Sequence, residues 1–192
     1  GNSTVPGTQA AGSYSGSTNG ILASAAQGSG LSNYAITYVA GTLTIQQAPL
    51  TITANADSKT YGDAKTFGAG STLFTASGLV NGQTIGSVTI TDTNSGGLAT
   101  ATAGASYALT PSLATGGTFT ASNYSITYVA GTLTINQKAL TITANAQSTT
   151  YGTALALGTT EFSHIGLVNS DTITGVTLKQ GNNTTVPARS EE

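Results

Sequence analysis

Cysteine, methionine and tryptophan are absent from the 192 residues, and charge is scarce: five Lys or Arg, seven Asp or Glu and one His. The missing cysteine excludes a disulfide framework, a thiolate metal site and a cysteine nucleophile. Charged residues make up 6% of the chain, against ~25% in an ordinary soluble domain. So neutral a chain has no electrostatic handle for nucleic-acid phosphate or for an anionic bilayer surface. No nucleic-acid partner and no membrane insertion are therefore expected, and no run of about 18 apolar residues is present. The chain opens on Gly1 with neither an initiator methionine nor a signal sequence, so export is expected to be specified elsewhere in a parent protein. Thr-rich polarity without oxidisable sulfur suits an extracellular life. Hydrophobic residues reach 38%, and they alternate too regularly for a solvated linker, so the chain should fold.

What is present is a repeat. Ser32-Asn-Tyr-Ala-Ile-Thr-Tyr-Val-Ala-Gly-Thr-Leu-Thr-Ile45 returns almost letter for letter as Ser122 to Ile135, at a constant offset of 90 residues. The match continues through Leu50 to Ala56 and Leu140 to Ala146, and on to Tyr61-Gly62 and Tyr151-Gly152. Such a period exceeds the roughly 20–50 residues of a solenoid coil or propeller blade, so each unit can be a small domain with its own core. The phase divides the chain into the back half of a unit (1–47), a complete unit (48–137) and the front half of a third (138–192). Thr4-Val5-Pro6 also echoes Thr185-Val186-Pro187. That is expected of a window on a longer array or of a subunit joining copies of itself head to tail.

Within a unit, Tyr34, Ile36 and Tyr38 alternate with Ala35, Thr37 and Val39, the period-two pattern of a half-buried strand. The pairs Ala40-Gly41 and Ala130-Gly131 stand between two such runs and predict tight hairpins with glycine at positive φ. Leu50-Thr-Ile-Thr-Ala54 predicts a strand with Leu50 and Ile52 inward and Thr51 and Thr53 outward. Gln46 to Pro49 and Asn136 to Ala139 read as domain junctions, the first stiffened by Pro49. Leu79 and Val80 read as core plugs under a loop. Val88 to Ile90, Val176 to Leu178 and Ser106 to Thr110 read as further short strands, and Ser13-Tyr14 as the start of another. The expectation is an all-β chain of small antiparallel domains stacked end to end, each an immunoglobulin-like sandwich or a grasp-like sheet.

The repeated block, the Leu-Thr-Ile-Thr-Ala-Asn-Ala strand, the Tyr-Gly motif and the Gly-Leu-Val-Asn turn together resemble the MBG and YDG repeat domains of large bacterial surface proteins. The resemblance covers nearly the whole chain. It implies a secreted, repetitive adhesin at the bacterial cell surface, of filamentous-haemagglutinin-like architecture, in which such domains form a stalk. It carries no catalytic residues to transfer. The half-unit phase and the charged end Ala188-Arg-Ser-Glu-Glu192 depart from the pattern.

Candidate chemistry is sparse. His164 is the only histidine, aligns with Ala76, and lacks the nucleophile and orienting partner a general base needs. Asp57 and Asp63 flank Tyr61-Gly62 at a spacing suited to calcium, but Gln147 and Thr153 replace them one unit later, and calcium takes about six to eight oxygens. Lys138 with Glu161 is the one arrangement for a spontaneous Lys–Asn crosslink, with a solvated junction lysine as the plainer reading. Tyr34, Tyr38, Tyr124 and Tyr128 are either a carbohydrate-stacking face or core and cross-strand pairs. No catalytic, cofactor or metal site is assigned. The reading is a structural segment that self-associates head to tail with identical copies or adjacent repeats. Its alternative is a module binding a host or biofilm glycan or another ligand, and an enzyme is the remotest of the three.

Overall fold

The computed structural model describes residues 3–181. Eleven strands follow in order: β1 (Gly12–Tyr14), β2 (Leu43–Ile45), β3 (Ala48–Ala54), β4 (Asp57–Thr60), β5 (Phe74–Ser77), β6 (Ser87–Asp92), β7 (Ser106–Thr115), β8 (Tyr124–Val129), β9 (Gly131–Asn136), β10 (Thr141–Ala144) and β11 (Phe162–Ile165). Helix among the described residues is limited to the four-residue turn Gly16–Asn19 and three 3-10 turns of three residues each. The fold is all-β. The Thr185-Val186-Pro187 echo lies outside the described residues.

Strands β3 to β9 form two facing sheets, β5-β3-β8 and β4-β9-β7-β6. Along β3, Leu50, Ile52 and Ala54 are buried while Thr51 is exposed, as the alternation predicts. They meet Val88 and Ile90 of β6, Leu109 of β7 and Leu133 and Ile135 of β9 in one cluster, with Tyr124 of β8 at its side. Each fully buried Leu or Ile contributes about 1.5–3 kcal/mol over leaving it in water, so this cluster holds the sandwich together. Leu79 packs against the cluster but Val80 is exposed, so only the first of the two expected plugs reaches the core. Pro49 lies inside β3 rather than in a junction; β5 pairs only from Thr51 onward, so the proline interrupts no ladder on that edge.

The expected antiparallel arrangement is corrected at two ladders, because β3 pairs β8 in parallel and β4 pairs β9 in parallel. The Ala130-Gly131 hairpin is corrected with it. Strands β8 and β9 join opposite sheets, so the chain crosses between layers instead of turning back. Neither Gly131 nor Gly41 has a positive φ. Glycine is needed at 131 for space: a Cβ there would fall on the carbonyl oxygens of Ala54 and, at 2.8 Å, Asn55.

Residues 3–47 and 138–181, read from the repeat as a back half and a front half, each keep one ladder seen in residues 48–137. β1 and β2 pair Ser13 with Thr44 and Tyr14 with Leu43, as β7 and β9 pair Ser106 with Thr134 and Tyr107 with Leu133. β10 and β11 pair Ala144 with Phe162, as β3 and β5 pair Ala54 with Phe74. Among the described residues, no ladder equivalent to β3-β8, β4-β9 or β6-β7 is formed by either segment. Residues 34–39, identical in pattern to β8, form no strand, because their partner would be the equivalent of β3. Residues 176–178 form none because the one ladder of their counterpart β6 is with β7. Both expected strands are thereby corrected, and for one physical reason: an extended segment without a partner leaves its backbone polar groups unpaired.

Candidate functional site

The sequence-predicted chemical groups are scattered. His164 is exposed on β11, opposite Ile142 in the ladder and with its ring 6.4 Å from that of Phe162. Asp57 accepts a contact from Lys65 Nζ at 2.5 Å, so an ammonium group stands where calcium would have to bind. Among the described residues no cluster of three or more His, Cys, Asp or Glu could hold a metal. Lys138 lines a cavity with Tyr61 and Asp171, whereas Glu161 keeps one carboxylate oxygen buried without a hydrogen-bond partner. The only ion pair among the described residues is Lys65 with Asp57, so Lys138 makes none with Glu161.

Sequence reading missed Lys59, the one buried charged residue among those described. Its Nζ donates to the carbonyl oxygens of Asp63 at 2.9 Å and Leu98 at 2.5 Å, tying the Tyr-Gly turn to the loop after β6. One unit later Thr149 takes the place of Lys59 and donates to Thr153 O at 3.0 Å, closing the same turn with a shorter side chain. The strand Asp57-Ser-Lys-Thr60 is polar throughout, so nothing in its pattern marks Lys59 as interior. Replacing it with Met should cost about 1–3 kcal/mol, because two carbonyls lose a charged donor that apolar atoms cannot replace. Thermal unfolding of Lys59→Met against the native chain reads that loss.

The four tyrosines divide by the completeness of their unit. Tyr124 is buried and donates to Gln83 Oε1 at 2.5 Å, and Tyr128 Oη accepts from Ala114 N at 2.9 Å. In the complete unit they are core and cross-strand residues, while their counterparts Tyr34 and Tyr38 are exposed.

That contrast marks the surface that matters. Leu50, Ile52 and Tyr124 are 1%, 0% and 3% exposed, and their repeat counterparts Leu140, Ile142 and Tyr34 are 43%, 45% and 72% exposed. Residues 138–181 also open a cavity of about 540 Å³ where Ala144, Leu155, Leu157 and Leu178 line one part and polar residues such as Asn145, Thr149 and Lys179 the rest. Ala144 and Leu178 correspond to Ala54 and Ile90, which in the complete unit face Leu133 and Ile135. Leu43 and Ile45, the counterparts of Leu133 and Ile135, sit on β2 only half-buried. The chain thus leaves exposed or half-buried, in residues 34–45 and 140–178, apolar side chains whose repeat counterparts are buried together in residues 48–137. Contiguous exposed apolar surface of this kind is where soluble proteins bind partners.

Comparison with known families agrees with the geometry. The family model described as MBG domain (YGX type) matches residues 50–134, from Leu50 in β3 to Thr134 in β9. No curated protein and no solved structure matches the chain. Domains of this family occur as repeat modules in surface proteins, and among the described residues no helix is long and apolar enough to cross a membrane. Residues 50–134, the part of the chain that closes its own sandwich, are thus the part that is similar to the MBG domain of the YGX type.

Proposed function

We propose that the chain is a structural repeat segment of an extracellular bacterial adhesin or fibre, built as half-unit, unit (48–137), half-unit, and that it works by length, stiffness and self-association. Each half-unit is completed by the complementary half of a neighbouring repeat. For the 192-residue chain on its own, that neighbour is a second copy, joined head to tail. The observation that carries this reading is the pairwise contrast of burial, with Leu50, Ile52 and Tyr124 enclosed and Leu140, Ile142 and Tyr34 open. The front half 138–181 offers β10, whose open edge corresponds to the edge of β3 that receives β8. The back half offers residues 34–39, which differ from β8 only in Ala35 for Ser125 and have no strand partner among the described residues. Completion is β-strand addition, with backbone hydrogen bonds supplying affinity and alternate side chains supplying register. A head-to-tail contact that does not close a ring grows a filament.

Exposure of Tyr34 and Tyr38 favours completion over glycan stacking, since the same residues in the complete unit are enclosed by β3 and β7 neighbours. Sedimentation velocity and negative-stain imaging of the purified chain test the reading. Oligomers that lengthen with concentration, with an axial repeat of two units per copy, are expected. A chain that remains a monomer throughout an accessible concentration series contradicts it.

A further inference from the structure

Strand completion leaves one contact between consecutive units unexplained. The turn Gly166-Leu-Val-Asn169 of the third unit lies on the Tyr61-Gly62 corner of the complete unit. Val168 packs so closely on Gly62, whose φ is +93°, that a Cβ there would be 2.7 Å from Val168 Cγ2. Tyr61 Oη donates to Asp171 Oδ2 at 2.9 Å, and Asn169 Nδ2 donates to Ala99 O at 2.9 Å. The earlier copy of this turn, Gly78-Leu-Val-Asn81, makes one of these contacts on the first half-unit: Asn81 Nδ2 donates to Gly7 O at 3.3 Å. Its Val80 stays 46% exposed, because no Tyr-Gly corner of a preceding front half is present for it to cover. At the other end no described residue covers the Tyr151-Gly152 corner. Tyr151 is fully exposed, and a Cβ at Gly152, whose φ is +86°, would meet nothing within 4 Å. One corner is filled, one knob is unused and one corner is empty.

From this we infer that the Tyr151-Gly152 corner is a docking site for the Gly78 to Asn81 turn of a second copy of this chain, with Val80 seated on Gly152 and Gln83, the counterpart of Asp171, beside the Tyr151 hydroxyl. The inference rests on the end-to-end reading and specifies its second contact. In the copy whose residues 3–47 complete a neighbour's third unit, Asn81 is already tied to Gly7, on the very half that joins. The turn is therefore held in place for the corner before the copies meet, which lowers the ordering cost of docking. Strand addition and corner docking together fix the angle between units, where strand addition alone would leave a hinge at the linker between β9 and β10.

Photocrosslinking on the full chain tests it, with p-benzoylphenylalanine at position 151. A covalent dimer whose crosslinked peptide contains Val80 to Gln83 is expected, and Val80→Arg should cut its yield by about tenfold, the usual consequence of removing an interface anchor. The same probe at position 61 should capture residues 166–171 within one chain. Crosslinks from 151 that fall outside 78–83, or that survive Val80→Arg, overturn the docking while oligomers seen by sedimentation leave the end-to-end reading standing. Absence of any dimer from 151, with no oligomers by sedimentation, overturns both.

Discussion

Replacing Gly131 with Val should unfold the complete unit at temperatures where the native chain is folded, while the same change at Gly41 should leave the dilute chain's stability within about 0.5 kcal/mol. The two glycines stand in the same word of the repeat, yet their surroundings differ. At 131 an added Cβ falls on the carbonyl oxygens of Ala54 and Asn55, backbone atoms of β3 and its following residue that cannot rotate away. Relieving that overlap means parting β9 from its crossing with β3, and overpacking of this kind costs about 3 kcal/mol or more. At 41 the nearest atoms, from Ile21, lie 3.8 Å away, which is ordinary contact. Differential scanning calorimetry of the two variants reads the contrast directly. Completion of a half-unit adds a second consequence. In the proposed array Gly41 would take the role of Gly131, with Ala144 and Asn145 of the adjoining copy in the place of Ala54 and Asn55. Gly41→Val should therefore be a stable chain that fails to lengthen in sedimentation. Equal destabilisation by both substitutions would show that the 131 crossing is placed wrongly.

The same glycines show where the sequence is legible and where it is not. Period-two alternation gives β3 with its inward Leu50 and Ile52, because burial of one face follows from the pleat alone. The pairing of β3 with β8 does not follow, since a parallel partner is some 75 residues away and no local signal distinguishes a glycine that turns from a glycine that lets two backbones cross. Residues 34–39 and 124–129 make the limit plain. Their letters are nearly the same, yet only the second forms a strand, so the information that decides lies in the partner and not in the segment. Lys59 was illegible for a related reason: its burial is set by the loop carrying Leu98, which arrives from outside the strand. The exposure of Tyr34, Leu140 and Ile142 follows the same logic, because the strands that cover their counterparts in residues 48–137 have no equivalents paired with these segments among the described residues.

That last point has the largest measurable consequence. Ile52→Ala should cost about 2–5 kcal/mol, since Ile52 is fully enclosed and the surrounding sheets relax only partly around the cavity left behind. Ile142→Ala, at the equivalent position of β10, should cost less than about 1 kcal/mol in dilute chain, because nearly half of that side chain already faces water. In the assembled array the two positions become alike. Ile142 would then lie between β10 and the core contributed by a neighbour's Leu43 and Ile45, and its removal should weaken the junction by an amount approaching the Ile52 value. The difference appears as a shift in the concentration at which the chain lengthens: about 1.4 kcal/mol moves an association constant tenfold, so a loss of 2 kcal/mol or more moves it well over tenfold. Thermal unfolding at low concentration isolates the intramolecular cost, and sedimentation over a concentration series isolates the junction. An Ile142→Ala chain that unfolds as the native chain does and assembles as the native chain does would mean that the face on β10 is not the one a neighbouring half-unit covers.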